Sequence, residues 1–343
     1  MKTDFNKWPY IVSSNTESFD ERISYPKISI VTPSFNQGKY IEQTILSVIN
    51  QNYPNLEYII IDGGSTDETV NIIKKYEPWI TYWVSEPDRG QSHAINKGIE
   101  KCTGHIFNWL NSDDWYEPNT LFDVASGFNS DKSIQFVSGY ENHVMLNGDT
   151  SIHDGTFLKK TLPETIECCE VAQPSTFFRL SSVKKIGGIS NDLHYIMDGD
   201  MWVRLLLRYG QSGFVKLPKV LVNFRLHESS KTTSNNLVNN FLIERSSIIV
   251  HLQKNIGSPQ FIIEYYLNDV FKAQSINKLN KSWEFNSSIL SKRHLNIYFA
   301  KKYIVSKFLR KETWNAFKGI KLLVKYCSFD IFLLRSLIKT IAK

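Results

Sequence analysis

Two adjacent carboxylates, Asp113 and Asp114, are the residues whose spacing most directly suggests chemistry in this sequence. They follow the apolar run 106–110 and complete the sequence Asn-Ser-Asp-Asp at 111–114. Neighbouring carboxylates repel each other, and a bound divalent cation would relieve that repulsion. Hard oxygen ligands suit Mg²⁺ or Mn²⁺. The spacing therefore predicts a metal loop at residues 111–114.

Three other apolar runs also end in polar residues, at 32–36, 62–65 and 86–91. In an open parallel sheet, ligands bind beyond the carboxyl ends of the strands. A single Asp at a strand end is more often a helix cap than a ligand. Four such ends on one edge instead favour a binding site. Structural alternatives stay open for single residues, such as a cap at Asp67 and a tight turn at Gly63.

The elements that must position these groups alternate along the first half of the chain. Apolar runs predict strands at 28–31, 58–61, 80–84 and 105–110. Helical spacing of apolar residues follows the first two strands, and 91–101 predicts a third helix. The order βαβαβαβ with short loops predicts a mostly parallel sheet with helices on both faces.

The second half of the chain is less regular. We expect a strand at 134–140, a hairpin turn at 147–148, a helix at 181–186, a helix at 199–209 and an extended segment at 217–226. The remainder from about 241 has a helical, aromatic-rich and increasingly basic pattern. We therefore divide the chain into an N-terminal extension (1–26), a catalytic domain (27–232) and a helical C-terminal region (233–343).

The composition is that of a globular protein, with 42% hydrophobic and 22% charged residues among 343. The four cysteines, two of them adjacent at 168–169, form neither a disulfide framework nor a zinc pattern. The first ten residues lack an apolar stretch of signal-peptide length, and no run is apolar enough to predict a transmembrane helix. These features favour a cytoplasmic protein.

The basic residues are concentrated at the end of the chain. Residues 301–343 hold eleven Lys or Arg against Glu312 and Asp330, a local charge of +9, while the whole chain carries +6. Apolar residues alternate with these cations, as in a helix that lies on an anionic membrane. An accessory helix pair packed on the catalytic domain is the equal alternative. No motif supports nucleic-acid binding.

Six sequence blocks resemble the family 2 glycosyltransferases with the GT-A fold, in that family's order. The first runs from VTPSFN to TVNII at 31–73, followed by SEPDRGQSHAINKGI at 85–99 and NWLNSDDWY at 108–116. The downstream blocks are QPSTFFR at 173–179, MDGDMWVRL at 197–205 and FRLHESS at 224–230. Together they span about 60% of the chain, residues 27–231.

The resemblance implies an α/β fold with a single Rossmann-like sheet, a C-terminal helical extension, and a nucleoside-diphosphate sugar as donor, with a UDP-sugar favoured. The residues that it implies for donor binding are Thr32, Pro33, Ser34, Asn36, Asp62, Gly63, Ser65, Asp88, Gly90, Gln91, Asn111, Ser112 and Asp113. The family's metal loop is Asp-x-Asp, and this chain departs from it because Asn111 takes the first position.

The resemblance also implies the reacting groups. Asp113 is the first metal ligand, with Asp114 as a second ligand or an orienting group and His227 as a late ligand of the metal or diphosphate. Arg225 and Lys231 are further candidates for diphosphate contact. The general base is Asp198 or the alternative Asp200, unless one of the two only caps the helix. The sugar and acceptor side comprises Gln173, Ser175 and Trp202, although the residue type and helical position of Trp202 favour a place in the core.

The implied activity is inverting transfer of a hexosyl or N-acetylhexosaminyl group to a hydroxyl of a glycan or lipid-linked glycan. The expected setting is cell-surface polysaccharide synthesis, such as capsule or O-antigen, with possible contact of 301–343 with the inner face of the membrane. One alternative is a sugar-1-phosphate nucleotidyltransferase, whose Gly-rich basic loop is represented here only by Gly38 and Lys39. A non-catalytic glycan-binding protein is the alternative from another class.

Overall fold

A computed structural model describes residues 25–228, 230–231, 237–273, 275–280 and 283–327. Nearly all of the predicted N-terminal extension, and residues 328–343 of the basic segment, lie outside the described residues. The chain forms two compact units. The first comprises Met1–Leu158, Glu170–Met201 and Gln211–Asn235, and the second comprises Lys159–Cys169, Trp202–Gly210 and Asn236–Lys343. The predicted division at residue 232 lies close to the end of the first unit but omits the two internal segments of the second.

A mixed nine-stranded sheet organises the first unit. Its strands are β1 (Ile28–Ser34), β2 (Leu56–Asp62), β3 (Tyr82–Ser85), β4 (Ile106–Trp109), β5 (Trp115–Tyr116), β6 (Phe136–Met145), β7 (Thr150–His153), β8 (Thr176–Arg179) and β9 (Phe214–Leu226). The spatial order is β3-β2-β1-β4-β8-β6-β9-β5, with β7 paired to β6. The predicted α/β fold with a mostly parallel sheet is confirmed.

The four strands β3, β2, β1 and β4 form the parallel part of the sheet. Every residue of β1 is buried, as a strand covered on both faces requires. The register places Ser34 beside Asp62 and Asp62 beside Ser85. Because parallel strands end at the same edge, this register brings the polar ends of three strands into line.

The helices are α1 (Ile41–Ile49), α2 (Thr69–Lys75), α3 (Gln91–Lys101), α4 (Thr120–Asn129), α5 (Leu162–Cys168), α6 (Leu180–Lys185), α7 (Met197–Tyr209), α8 (Val238–Asn255), α9 (Gln260–Tyr265), α10 (Lys292–Leu309) and α11 (Thr313–Cys327). The predicted third helix has the observed bounds of α3. The predicted helix 199–209 begins two residues earlier, at Met197. It ends before Gly210, which adopts a positive φ of 71° suited to a C-terminal cap.

The remaining strands make the other half of the sheet mixed. Strand β8 is antiparallel to β4 and β6, and β5 is antiparallel to β9. Strand β9 begins before the predicted extended segment and pairs in parallel with β6 through an irregular register around Gly139. Pro218 lies in that irregularity, where the absence of its amide hydrogen interrupts no regular ladder. Antiparallel insertion of β5 brings the chain after β4 next to the end of β9.

The second unit is helical, which confirms the expected C-terminal helices. Its core includes Trp202, Leu205, Ile248, Tyr266 and Phe299, all of them fully buried. Glu167 of α5 accepts hydrogen bonds from the hydroxyl groups of Tyr266 and Tyr298, and it forms an ion pair with Lys302. No helix in the described ranges is long and apolar enough to cross a membrane.

Candidate functional site

Asp62 ends β2 at the carboxyl edge of the sheet, where it is fully buried. Its Oδ2 accepts from the amides of Gly64 (3.1 Å) and Ser65 (2.8 Å) and from Ser85 Oγ (2.6 Å). Its Oδ1 accepts from Ser65 Oγ at 2.5 Å. The carboxylate thus holds the loop that follows β2 in a defined conformation. Sequence reasoning missed Ser85, although a parallel register would have placed it beside Asp62.

The loop after β1 is joined to the loop after β2. The amide of Asn36 donates to Ser65 Oγ at 2.7 Å, and Asn36 Oδ1 accepts from the amide of Thr66 at 2.9 Å. Asn36 has a positive φ of 52°, a conformation that asparagine tolerates better than most residues. These reciprocal bonds bring Asn36 and Ser65 together as predicted for one binding edge.

Thr32, Pro33 and Ser34 are all buried within β1. The hydroxyl groups of Thr32 and Tyr58 lie 3.1 Å apart inside the sheet, so Thr32 supports the edge from within. Ser34 is the last residue of β1, and its Oγ has no hydrogen-bond partner among the described residues. A buried hydroxyl of this kind ordinarily has a partner. Ser34 is therefore the residue of this group best placed to bind a ligand.

The loop after β3 approaches the β2 loop closely. A Cβ atom added to Gly63 would lie 2.8 Å from Asp88 Oδ2, so a larger residue here would displace the end of the Asp88 side chain. Asp88 is only partly buried, and its Oδ1 accepts from the amide of Gly90 at 2.7 Å. Gly90 has φ of 101° and precedes the first residue of α3, Gln91. Asp62 and Asp88 consequently lie in adjoining loops.

The loop at 111–114 connects β4 to β5 and forms a turn in which the amide of Asp114 donates to the carbonyl of Asn111 (3.1 Å). Gln91 Nε2 donates to Asn111 Oδ1 at 2.8 Å, which links this loop to α3. Lys231 in turn donates to Gln91 Oε1 at 2.9 Å. Ser112 is buried within the turn. The predicted donor residues on α3 and in the metal loop are thus connected by a chain of hydrogen bonds.

Asp113 and His227 meet across the site, with Nε2 of the imidazole 2.9 Å from Oδ2 of the carboxylate. They come together because β9 lies beside β5, which follows the metal loop directly. The side chain of Asp113 remains 23% exposed, whereas that of His227 is 4% exposed. The His227 ring also lies 4.9 Å from the ring of Tyr40, between centroids. A partly exposed carboxylate beside a fixed imidazole is a suitable pair for a divalent cation.

Asp114 is enclosed, with 1% of its surface exposed. Its Oδ1 accepts from the amide of Arg225 at 2.9 Å, and its Oδ2 accepts from Asn111 Nδ2 at 3.3 Å. Burial, followed by repulsion from Asp113 and Glu141, raises the pKa of Asp114 well above its ordinary value. Because both oxygens already have donors within the protein, the contacts favour the predicted orienting role over direct metal ligation.

Arg225 fixes the backbone of the metal loop. Its Nε donates to the carbonyl of Asp113 at 2.9 Å, and its Nη2 donates to Gln43 Oε1 at 2.5 Å. The guanidinium carbon lies 4.5 Å from the centre of the Trp115 ring, within the range of a cation–π contact. These contacts support the loop, whereas the exposed Lys231 remains the better placed of the two predicted diphosphate contacts.

The two candidate bases lie in the first turn of α7, so neither is the residue that precedes the helix. Asp198 is partly buried, and its Oδ1 accepts from the amide of Gly199 at 2.8 Å. Asp200 is fully buried. Of the two candidate bases, Asp198 is therefore the one with surface that solvent can reach.

The residues predicted on the sugar and acceptor side are enclosed. Gln173 Nε2 donates to Asn108 Oδ1 (2.6 Å) and to the carbonyl of Trp109 (2.7 Å), directly before the metal loop. Ser175 Oγ donates to Glu141 Oε1 at 3.1 Å. Both residues are buried. They occupy supporting positions beneath the site rather than an open surface.

The prediction that Trp202 forms an aromatic wall for a sugar is wrong for this structure. Its side chain has 0% exposure, and it belongs to the core of the second unit. The alternative prediction of a core role is confirmed.

The sequence analysis also missed Glu141, Tyr40 and Gln43. Glu141 is a nearly buried acid on β6 that lies close enough to raise the pKa of Asp114. An acid at an inward position of a strand was the available signal. The contacts of Tyr40 and Gln43 with the end of β9 depend on tertiary structure and leave no local pattern.

Comparisons with known proteins agree with this arrangement. The family model for glycosyl transferase family 2 matches residues 29–187. An uncharacterized glycosyltransferase of Mycobacterium tuberculosis is 31% identical over 54% of this chain and 70% of the relative. An uncharacterized glycosyltransferase of Rickettsia typhi is 27% identical over 84% of this chain and 96% of the relative.

The fold is similar to that of a crystal structure of S. aureus TarS 1–349 in complex with UDP. The TM-score is 0.54 at 16% sequence identity, over 85% of this chain and 88% of that chain. This likeness shows a GT-A fold. On the family model and the relatives, the chain belongs to the family 2 glycosyltransferases.

Proposed function

We propose that this glycosyltransferase moves a sugar from a UDP-sugar to a hydroxyl group of a glycan or lipid-linked glycan, with inversion at the anomeric carbon. The observation that carries the proposal is the convergence of the Asp62 loop and the metal loop, with His227, at one edge of the parallel strands. Similarity of the fold to a UDP-bound structure supports uridine as the nucleoside. We propose that the enzyme acts in the cytoplasm, in the synthesis of a surface polysaccharide.

The nucleoside end of the donor is assigned to the loops after β1, β2 and β3. Ser34 offers a buried hydroxyl with spare hydrogen-bonding capacity, and Asp88 offers a partly exposed carboxylate. Carboxylates accept hydrogen bonds from a uracil N–H or a ribose hydroxyl. Asp62 is fully buried and already holds four donor groups. Its proposed part is to position the loop through Gly63 and Ser65.

The diphosphate end is assigned to the metal loop. The described residues contain no cluster of three or more His, Cys, Asp or Glu side chains arranged to enclose a metal ion. Mg²⁺ and Mn²⁺ in nucleotide enzymes are commonly held by one or two protein ligands together with phosphate oxygens. Asp113 and His227 suit such an open site, because Oδ2 of the carboxylate lies 2.9 Å from Nε2 of the imidazole. A cation there would neutralise charge that develops on the leaving diphosphate.

The protein's own groups then account for the transfer. Asp198 takes the proton from the acceptor hydroxyl as the acceptor oxygen attacks the anomeric carbon of the donor sugar. The bond from that carbon to the diphosphate oxygen breaks, and UDP leaves on the opposite face. Lys231 lies within a hydrogen bond of Gln91 and stabilises the released charge. The sugar is a hexose or N-acetylhexosamine.

A panel of nucleotide sugars, with and without Mn²⁺, tests the donor by thermal shift and by release of UDP. We expect a UDP-sugar to stabilise the protein most, and only with the metal. A panel in which GDP-sugars or no nucleotide sugars stabilise it would reject the donor assignment. Turnover that forms a nucleotide sugar from UTP would instead identify a nucleotidyltransferase.

Replacement of the proposed base tests the chemical step. Asp198→Asn should retain metal-dependent binding of UDP and lower transfer by about 100-fold or more, because general base catalysis contributes about 10²–10⁴-fold. Asp200→Asn is the matched variant, two residues along the same helix. If Asp200→Asn abolishes transfer and Asp198→Asn does not, the base has been assigned to the wrong residue. A binding protein without activity would show no effect of either change.

A further inference from the structure

Helix α11 has two different sides, and one of them is used for packing. Ala316, Gly319 and Leu323 are buried. A Cβ atom added to Gly319 would lie 2.4 Å from Ile304 Cγ1, so α11 packs closely against α10 at this point. The buried side of α11 thus carries small and aliphatic residues, and Gly319 is the point of close approach to α10.

The opposite side of α11 carries its largest apolar group and its cations. Trp314 is 84% exposed and Phe317 is 53% exposed. Lys318, Lys321 and Lys325 are exposed as well. At 3.6 residues per turn, these five residues fall within an arc of about 100°. We call them the aromatic–lysine face.

The cations of this face carry uncompensated charge. No ion pair joins Lys318, Lys321 or Lys325 to any residue that the structure describes. Two acids of the second unit pair with other cations. Asp269 pairs with Lys307 and Arg310, and Glu312 pairs with Lys307.

The combination of groups identifies the occupant. Amphipathic helices that lie on membranes carry tryptophan and phenylalanine on the face that enters the boundary between the headgroups and the acyl chains. Lysines beside them are attracted to anionic lipid headgroups. Proteins that bind single-stranded nucleic acid place their aromatic residues in a groove that follows the strand. This face is instead the convex side of a single helix.

We propose that the aromatic–lysine face of α11 binds the surface of an anionic phospholipid membrane. Trp314 and Phe317 enter the headgroup region, and the three lysines contact lipid phosphates. The contact that we propose is peripheral, through one face of one helix. It would bring the enzyme to acceptors carried on lipid. The proposal concerns the second unit and does not depend on the identity of the donor.

Flotation of the full chain with vesicles tests the proposal. Vesicles of phosphatidylcholine alone are compared with vesicles that contain phosphatidylglycerol, at low and high NaCl. We expect binding only to the anionic vesicles and a loss of binding as salt rises. Equal binding to both vesicle types, or binding to neither, would overturn the proposal. Tighter binding to short RNA or DNA than to anionic vesicles would also overturn it.

Variants of the face locate the contact. The triple change of Lys318, Lys321 and Lys325 to Ala should weaken partition by about 100-fold, since each lysine near an anionic surface contributes about fivefold. The pair Trp314→Ala and Phe317→Ala should weaken it by about tenfold or more. Controls are the exposed Trp79→Ala and the triple change of the exposed Lys74, Lys132 and Lys185 to Ala. Loss of binding in the controls, or its retention in the face variants, would contradict the assignment.

A second readout separates this inference from the proposed function. Hydrolysis of the donor in solution should be unchanged in the face variants, and their thermal unfolding midpoints should match that of the parent protein. A protein that binds anionic vesicles through this face but uses no UDP-sugar would refute the donor and leave the membrane contact standing. Normal hydrolysis without vesicle binding would do the reverse.

Discussion

The two ends of strand β2 each carry a buried acid, and the protein treats the two differently. Glu57, near the amino end, pairs with Lys27 Nζ at 2.7 Å and accepts from Ser29 Oγ at 2.6 Å and from both the amide and the hydroxyl of Thr103. Asp62, at the carboxyl end, accepts only from neutral donors among the described residues. A cation of the chain therefore neutralises the first acid but not the second.

The pKa shifts of Glu57 and of Asp114, an acid in the metal loop at the carboxyl edge of the sheet, have opposite signs. Hydrogen bonds and the Lys27 cation overcome the effect of burial and lower the pKa of Glu57 to about 2. Burial and a neighbouring carboxylate raise the pKa of Asp114 in the metal loop. An acid that stabilises a fold has its ionised form satisfied by its neighbours, whereas acids gathered at a site disfavour one another's ionised form. The contrast teaches which acids serve the fold and which serve a ligand.

The largest effect on sugar transfer should come from Asp113→Ala, in the metal loop at the carboxyl edge of the parallel strands. Loss of the exposed carboxylate removes the principal proposed metal ligand, so we expect transfer to fall by about 10³-fold, in line with the loss of a key charge-stabilising group. The Mn²⁺-dependent thermal shift produced by UDP should vanish. Glu57→Gln is the control, because it alters a buried acid far from the metal loop in sequence. A shift that survives in Asp113→Ala would exclude this residue as the principal ligand.

Glu57→Gln should have the smaller, purely structural effect. It replaces a charge-assisted network by neutral hydrogen bonds and should lower the free energy of unfolding by about 2 kcal/mol at neutral pH. The folded-state pKa lies below the ordinary value of 4.5, so this stabilisation is complete above that value and is lost as pH falls toward about 2. Urea unfolding at pH 7 and at about pH 3.5 should show the difference between variant and parent shrink.

A difference that stays constant between the two pH values would contradict the ion-pair explanation. We also expect Glu57→Gln to retain sugar transfer at neutral pH, when it is assayed below the temperature at which the variant unfolds. If Glu57→Gln abolished transfer without loss of stability, the proposed division between the two ends of the sheet would fail.

The sequence was sufficient for the parallel part of the sheet, because apolar runs separated by helical spacing determine strands such as β1 and helices such as α3 directly. It was also sufficient to place Asp62 and Asp113 at strand ends. That Asp113 lies beside His227 was implied only by the family resemblance, which assigned both to the metal, and by no spacing in the sequence, since the contact depends on the antiparallel pairing of β5 with β9. For Trp202 the sequence favoured the core but left a ligand-facing position open, because a ring on an amphipathic helix has the same pattern whether it faces a core or a ligand.

The finest test of the comparison uses two serines that donate to the two acids. Ser85 Oγ donates to Asp62 Oδ2 and Ser29 Oγ donates to Glu57 Oε2, each at 2.6 Å. Replacement of either serine by Ala removes one hydrogen bond to a buried carboxylate. We expect each change to lower the free energy of unfolding by about 1.5 kcal/mol.

The two serine variants should differ in ligand binding. Ser85→Ala loosens the carboxylate that positions the nucleotide loops, so UDP affinity, measured by calorimetry with Mn²⁺ present, should fall by about threefold to tenfold. Ser29→Ala should leave it unchanged, because Glu57 retains its bonds to Lys27 and Thr103. Equal losses of affinity in both variants would mean that the nucleotide site depends on the stability of the whole sheet. A loss confined to Ser85→Ala would show that it depends on the order of the carboxyl edge alone.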